Sequence, residues 1–398
     1  MSWEYSDNGN SGSFLQSPSY DTNLRPRGQP SEDSYYNSAQ IVDVPVPSGN
    51  SSFNSQSSFT STRPSTQPKA AFSSSGVVAG MDTSSWKNKE SATNCSLCEA
   101  PFSKMSKRKH NCRVCGGVFC GNCTSDKLNI SHKGLERVCF LCFSAHSGLS
   151  SDEQRVATEV CQDLGEYPIL QTMVFRKKDS GPSNRHHAIL IVSRYQILTL
   201  KRSSPKTGVK PLFLIDLSRI SMPKSGMLLL EFGRQSGVPI VEQYDTAKAP
   251  EILLTIRTQH ASICLGMPDH CQLQVDVPPE AELPMKPLPA IGVAGGFIES
   301  YRVWCNFYGE EPSEELIQYI TDSVERTPYI LDLSYCPGIE PGTNITFSLK
   351  PVFQALRFNS YFLGLRLCDV VAKGAMELLV PCLKSNRVLT RLHLRNLV

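Results

Sequence analysis

The sequence predicts a multidomain chain: a disordered N-terminus, a small cross-braced finger built on two zinc ions, a mostly β middle domain and an incomplete α/β solenoid. Three observations predict it. Eight of the 15 cysteines fall between Cys95 and Cys142, in four C-x-x-C pairs. Residues 1–85 contain 22 serines and no apolar period of 2 or 3.6. From about residue 328 an apolar pattern recurs at an offset of 27 residues.

Length and composition bound the possibilities. A chain of 398 residues has room for two or three domains of roughly 100–200 residues each. The net charge is only +3. Bulk attraction to acidic polymers is therefore excluded, and any anion binding must come from a local patch. Apolar residues make up 40%, below the share usual in globular domains, as a disordered segment would explain. No apolar run reaches the length of a membrane span. The first residues, Met1-Ser-Trp-Glu-Tyr, lack a basic region and an apolar core, so we expect no secretory signal. A cytosolic chain keeps its thiols reduced, so the cysteines need an explanation other than disulfides.

Residues 1–85 cannot bury enough apolar surface to offset the entropy of ordering them. They are expected to be a disordered, Ser-rich spacer. The cysteine block follows. Its spacing is Cys95-x2-Cys98-x13-Cys112-x2-Cys115-x4-Cys120-x2-Cys123-x15-Cys139-x2-Cys142. Four C-x-x-C turns are four half-sites for tetrahedral zinc. Only four residues separate the second and third pairs, too few for them to share an ion comfortably. The ligands therefore interleave: Cys95, Cys98, Cys120 and Cys123 for one Zn2+, Cys112, Cys115, Cys139 and Cys142 for the other. All eight ligands are thiolates, which leaves no open coordination position. The two sites are structural.

Between Cys95 and Cys142 there are eight Lys or Arg against three Asp or Glu. The run Lys107-Arg-Lys-His-Asn-Cys-Arg113 abuts a zinc turn, where the backbone is rigid and the cations are preorganised for phosphate. These residues resemble a FYVE zinc finger over about 86–145. That module binds phosphatidylinositol 3-phosphate on endosomal membranes. The likeness rests on the cysteine spacing, the basic string before Cys112, Arg113 after it, Arg137-Val-Cys139, and Trp86 nine positions before Cys95. It implies that Arg108, Lys109, His110, Arg113 and Arg137 contact the lipid phosphates, and that Lys104, Met105 and Ser106 form the turret entering the bilayer. One modest apolar side chain in the turret implies weak insertion. Two family positions differ: the second histidine is Asn111, and the acid of the N-terminal W-x-x-D motif is Lys89. Both lead us to expect a weaker preference for the 3-monophosphate. A RING ligase, the other eight-ligand cross-brace, usually carries a central His ligand and an apolar groove; basic loops argue against it.

Residues 165–277 hold short runs rich in Ile, Leu and Val. Ala188–Val192, Gln196–Leu200, Pro211–Ile215, Met227–Phe232 and Glu251–Arg257 read as strands of a small antiparallel barrel or sandwich. This segment resembles a pleckstrin-homology domain, whose first turn would hold Arg176-Lys-Lys178 and Arg185-His-His187. The His186-His187 doublet reads as a solvated pair in a basic loop. Residues 278–327 read as a linker, with five prolines in 278–289, followed by an amphipathic Ser313–Glu325 helix.

From 328 to 398, Leu356-x-x-Asn359-x-x-Phe362-x-x-Leu365-x-Leu367 recurs as Leu383-x-x-Asn386-x-x-Leu389-x-x-Leu392-x-Leu394. An earlier copy ends in Leu331-x-Leu333-x-x-Cys336, 34 residues before the next. This is the leucine-rich-repeat signature, with Leu349–Arg357 and Ala372–Leu383 as outer helices. Together with Gly295-Gly-Phe-Ile-Glu-Ser-Tyr301 and Trp304-Cys-Asn-Phe-Tyr-Gly309, residues 165–398 resemble the N-terminal part of the CARMIL family. Its members join a pleckstrin-like domain to a repeat horseshoe, regulate actin through capping protein and bind myosin-I. The chain stops inside its third repeat strand, so we expect a truncated repeat array.

We find no phosphate-binding glycine loop, H-E-x-x-H or G-x-S-x-G, so no enzyme is expected. Glu310-Glu311 and Glu314-Glu315 sit at a helix start, where negative charge suits the macrodipole. The first functional reading is a phosphoinositide-binding adaptor, peripherally attached to endosomal or similar membranes from the cytoplasm, carrying a repeat scaffold for an unidentified protein partner and possessing a link to actin. No nucleic-acid partner is expected on that reading. The alternative is a cytosolic zinc-stabilised module that binds protein or nucleic acid without specific lipid recognition.

Overall fold

The computed structural model describes residues 77–103, 108–131, 133–177, 185–339, 345–371 and 374–396. The Ser-rich segment up to residue 76, the turret Lys104-Met105-Ser106, and Lys178 lie outside the described residues. All that follows belongs to one compact unit, within Lys69–Val398.

Two small antiparallel pairs make the finger: β1 (Lys109–Asn111) with β2 (Val118–Cys120), and β3 (Lys127–Ile130) with β4 (Gly134–Arg137). Two helices follow, α1 (Phe140–His146) and α2 (Ser151–Gln162). A capping box starts α2. The Ser150 hydroxyl accepts from Glu153 N at 3.2 Å, and Glu153 Oε2 accepts from Ser150 N at 2.9 Å. Two orphan amides of the helix start are thereby satisfied.

The middle region is one eight-stranded sheet. Its strands are β5 (Pro168–Lys177), β6 (Arg185–Ser193), β7 (Gln196–Lys201), β8 (Leu212–Phe213), β9 (Leu217–Lys224), β10 (Met227–Phe232), β11 (Ile240–Asp245) and β12 (Gln274–Asp276). Their order is β12-β9-β10-β11-β5-β6-β7-β8, antiparallel except for β12 on β9. One face of β5 and β6, with Val174, Ala188, Leu190 and Val192, joins Leu228 and Leu230 of β10 in the main core. Two expected strands are corrected. Pro211–Ile215 is a two-residue strand that tightens into a 3-10 turn at Leu214–Asp216. Glu251–Arg257 lies inside helix α3 (Ala249–Ile263), with Pro250 in its first turn. The buried positions Ile252, Leu253, Ile256, His260 and Ile263 keep the spacing of a helix face. A short apolar run does not distinguish this from a strand.

The supposed linker is also corrected between its proline-rich start and the expected helix. Helix α4 (Val293–Tyr308) stands there and is part of the core, where Phe297, Tyr301 and Trp304 are buried; the expected Ser313–Glu325 helix is α5 (Glu314–Arg326). Helix α4 opens with a left-handed turn at Ala294-Gly295-Gly296. A side chain at Gly295 would meet Tyr361 Cβ at 2.8 Å. This is why a glycine stands there.

Strands β13 (Ile330–Asp332), β14 (Gly364–Cys368) and β15 (Arg391–Arg395) form a parallel sheet in which Leu331, Leu365 and Leu392 lie side by side. Helices α6 (Leu349–Phe358) and α7 (Ala375–Ser385) connect them. The register equals the sequence offsets of 34 and 27. The two repeated asparagines explain the regularity. Asn386 Oδ1 accepts from the amides of Val388 and Leu389, both at 2.8 Å, while its Nδ2 donates to Leu356 O and Asn359 O. Asn359 accepts from Tyr361 N and Phe362 N and donates to Ala294 O at 2.8 Å. The left-handed turn of α4 thus receives the bond of the first repeated asparagine.

The finger and the sheet share a core. The outer face of β5–β7 is apolar, and α2 covers one part of it: Ala157, Val160 and Cys161 pack on Ile189, Ile191, Leu198 and Leu200. The finger covers the other part. Phe140 and Phe143 of α1 join Met173 and Phe175 of β5 in one cluster. Phe140 stacks on Phe175 at 4.9 Å between centroids, and the His187 ring meets both edge-on. The Ser144 hydroxyl accepts from Ala247 N at 3.0 Å, and Lys224 pairs with Glu99. No helix among the described residues is long and apolar enough to cross a membrane.

Candidate metal centre and phosphate-binding face

The eight cysteines gather as two tetrads, Cys95/Cys98/Cys120/Cys123 and Cys112/Cys115/Cys139/Cys142, each with its sulfurs within 4.8 Å of one another. All are free thiols. Tetrahedral zinc, with bonds of about 2.3 Å, sets its sulfurs about 3.8 Å apart. Cys98 Sγ lies 3.7 Å from Cys120 Sγ, and Cys115 Sγ 3.8 Å from Cys139 Sγ. The donor set and its spacing fit the ion. Backbone amides support the charge: Cys120 N points at Cys95 Sγ (3.3 Å), and Val114 N at Cys112 Sγ (3.4 Å). Hydrogen bonds from Cys120 and Cys115 respectively hold the Cys95 and Cys112 thiols far below their ordinary range, whereas Cys123 and Cys139 are driven up by accepting neighbours and burial. Crowded thiols cannot all ionise unaided. A dication removes that conflict.

The second tetrad carries the basic face. Lys109 and His110 lie on β1 just before Cys112, Arg113 follows it, and Arg137 ends β4 two residues before Cys139. His110 is held below its usual pKa by burial first, then by the positive charges of Arg137, Lys89, Arg113 and Arg108. Four positive charges therefore act on one imidazole, and an anion bound nearby would relieve their repulsion. Arg113 is fixed on three sides. Its guanidinium lies 4.9 Å from the Trp86 ring centroid, donates to Asn111 O at 2.6 Å and faces Glu136 at 3.4 Å. Lys109 sits 5.6 Å from the Phe102 ring centroid, and Arg108 is exposed.

Arg108, His110 and Arg113 lie along the run into the zinc turn, Arg137 joins it through the bond from Arg113 N to its carbonyl (3.2 Å), and the charge of Lys89 also acts on the imidazole. The structure places Asn111 elsewhere. That side chain is buried and donates to Lys87 O (2.9 Å) and Gly116 O (3.0 Å). It ties the N-terminal segment to the zinc turn and contributes no phosphate donor. The basic residues of the middle sheet behave differently from expectation. Arg176 forms a two-pronged pair with Glu242. His187 is no solvated loop residue: it lies in β6 against Phe140 and Phe175, 3.6 Å from Asp126. Sequence reasoning missed Asp126, Phe140, Phe143 and Phe175 as a group, because their partners are remote in the chain. The alternation of Met173 and Phe175 with Val174 was the available signal that β5 is buried on both faces.

The geometry defines a structural two-zinc, cross-braced finger with a cationic face. Residues 85–148 match the family model of the FYVE zinc finger. Over 70 residues the chain is 41% identical to arrestin domain-containing protein D of Dictyostelium discoideum, covering 17% of this chain and 9% of that protein. Over 58 residues it is 47% identical to human RUN and FYVE domain-containing protein 2, covering 14% and 9%. Among solved structures, the LM5-1 FYVE domain from Leishmania major is similar at 34% identity, covering 17% of this chain and 83% of that one with a TM-score of 0.15. The chain thus spans less than a tenth of the length of these curated relatives. Residues 85–148 are a FYVE finger that binds two zinc ions, and FYVE fingers bind phosphoinositide membranes.

Proposed function

We propose that the protein is a non-enzymatic adaptor whose finger reads phosphatidylinositol 3-phosphate on endosomal membranes from the cytoplasmic side. The cation cluster around His110 carries this reading: Arg108, Arg113, Arg137 and Lys89 converge there on one rigid, zinc-held frame. Lys109 adds a fifth charge beside it. Lys89 broadens the specificity toward headgroups with further ring phosphates, because a cation replaces an acid at the pocket edge.

The rest of the chain is the cargo. The middle sheet with α3 is read as a pleckstrin-like domain, and β13–β15 with their helices as leucine-rich repeats. Two features support the second assignment: the 27-residue register and the asparagines that bond from one repeat to the one before. The resemblance to the CARMIL family supports a scaffold that holds a protein partner and links membranes to actin. Liposome sedimentation with the full zinc-loaded chain tests the lipid reading. Vesicles containing phosphatidylinositol 3-phosphate should bind tightly, and phosphatidylcholine vesicles weakly. Equal binding to both would overturn it, and would point instead to a zinc-stabilised module for protein or nucleic acid.

A further inference from the structure

The finger carries a second exposed face beside its cation cluster. Strands alternate their side chains. Leu128 and Ile130 of β3 point inward and are buried, so Lys127 and Asn129 point outward. Asn129 lies opposite Leu135, and Lys127 opposite Arg137, on β4. Leu135 and Arg137 therefore share the outward face. A third strand-like segment extends it. Val78 pairs parallel with Ile130 and faces inward with it, through bonds from Val78 N to Asn129 O and from Ser131 N to Val78 O. Val77 then stands on the same outward face as Asn129 and Leu135.

The face has an unusual make-up. Leu135 is 67% exposed and Val77 65% exposed, among the most exposed large apolar side chains of the described residues. Neither is needed for the finger's core. Lys127 and Arg137 flank them, Lys133 stands in the hairpin turn, and no acid lies among the outward residues of these strands. Arg137 belongs to this face, and its carbonyl accepts from Arg113 N at 3.2 Å, which joins the face to the basic run around the zinc turn. The patch is thus continuous with the phosphate-binding cluster. Apolar side chains ringed by cations suit the boundary between anionic headgroups and acyl chains.

We propose that this outer face of β3, β4 and residue 77 is a membrane-contact surface, with Leu135 and Val77 entering an anionic bilayer beside the bound headgroup. The proposal rests on the phosphoinositide reading and adds a contact distinct from the turret. The paired strands β3 and β4 present these side chains on an already formed sheet face, which lowers the ordering cost of binding.

The test uses the full zinc-loaded chain and two probes. The first is soluble inositol 1,3-bisphosphate, followed by calorimetry. The second is vesicles of phosphatidylcholine and phosphatidylserine with phosphatidylinositol 3-phosphate. Leu135→Ser should leave headgroup affinity within about twofold and weaken vesicle binding roughly five- to tenfold, the loss expected for one partly inserted leucine. Unchanged vesicle binding would overturn the proposal. As a second readout, Leu135→Trp should show added fluorescence that vesicles with brominated acyl chains quench beyond the background of the natural tryptophans. Bound vesicles without that quenching would show the face turned from the bilayer and would also overturn it. Failure of the natural protein to bind the headgroup or the vesicles would defeat the phosphoinositide reading itself, a distinguishable outcome.

Discussion

The two zinc tetrads have the same ligands and nearly the same sulfur spacing, yet they do different work. All four cysteines of the first tetrad are buried within the finger; in the second, Cys115 is exposed and Cys142 half-buried. The first closes the finger on itself. The second is flanked by Arg113 and Arg137, and its Cys139 caps α1, which carries Phe140 and Phe143 onto the sheet. One metal therefore supports the cationic face and the junction to the rest of the chain together. Identical chemistry acquires different consequences from what its ligand loops carry.

Replacing one ligand in each tetrad should break the comparison most sharply. Cys139→Ser should lose one zinc, abolish vesicle binding and raise amide exchange in β5 and β6, because Phe140 and Phe143 lose their anchor. Cys98→Ser should also lose one zinc but leave β5 and β6 protected. Elemental analysis with hydrogen exchange reads both. Equal exchange of the sheet in the two variants would erase the distinction. A natural protein that is folded with fewer than two zinc ions would refute the pairing altogether.

Next in size is the junction itself. Phe140 is fully buried between finger and sheet. Phe140→Ala should cost about 3–5 kcal/mol, the usual range for a buried aromatic, in a urea melt that follows the sheet. Headgroup affinity should change much less, since no cation of the cluster touches that ring. A loss below about 1 kcal/mol would show that the finger is only loosely attached.

The junction also holds a buried acid–imidazole pair, whose pH response separates it from the zinc sites. Unfolded, a histidine takes up its proton below about 6.5 and an aspartate below about 3.9. Folded, burial first and the Arg202 charge second hold His187 down to about 4, while burial pushes Asp126 up to about 6. Between about pH 4 and 6 each state then binds one proton at this pair: on the histidine when unfolded, on the aspartate when folded. The pair contributes no pH dependence there. Asp126→Asn removes the folded-state proton, so stability should fall as pH drops from about 6.5 toward 4. His187→Gln leaves only the raised acid, so stability should fall as pH rises from about 4 toward 6. Each slope should amount to roughly 2 kcal/mol across the window. Melts referenced to the natural protein cancel the thiolate protonation common to all three. Parallel curves would remove the pair from the energetics.

The sequence was most legible where local spacing determines structure. Four C-x-x-C pairs fixed the tetrads because each turn is closed by residues three apart, and the 27-residue offset became the strand register because each repeat packs on its neighbour. It was least legible where the deciding partner is remote. Glu251–Arg257 read as a strand because its apolar run is too short to show a period. Helix α4 read as linker, although Trp304 and Phe297 fill the core between sheet and repeats. His187 read as solvated, because nothing near it in the chain announces Phe140. Asn111 stands where the family motif has its second histidine, and its two bonds to Lys87 O and Gly116 O show a bracing role that the motif alone does not reveal.

The smallest expected effect concerns the selectivity of the face that the second tetrad supports. Lys89 lies close enough to His110 for its charge to depress the imidazole pKa. A cation there lowers the energetic cost of a second ring phosphate, whereas an acid would repel it. Lys89→Asp reverses that charge in a partly solvated setting, where screening limits the effect. The preference for the 3-monophosphate over a bisphosphate should rise roughly tenfold, with overall affinity slightly lower. Asn111→His should not add to this, because position 111 points at the N-terminal segment and a histidine there cannot donate both bonds that the amide makes. It should instead loosen residues 86–89 and blur the selectivity. Competition between soluble inositol 1,3-bisphosphate and inositol 1,3,5-trisphosphate, measured for the natural protein and the two variants, separates these outcomes. A natural protein that already rejects the trisphosphate sharply would place Lys89 outside the pocket and leave Arg108, Arg113 and Arg137 to set the selectivity alone.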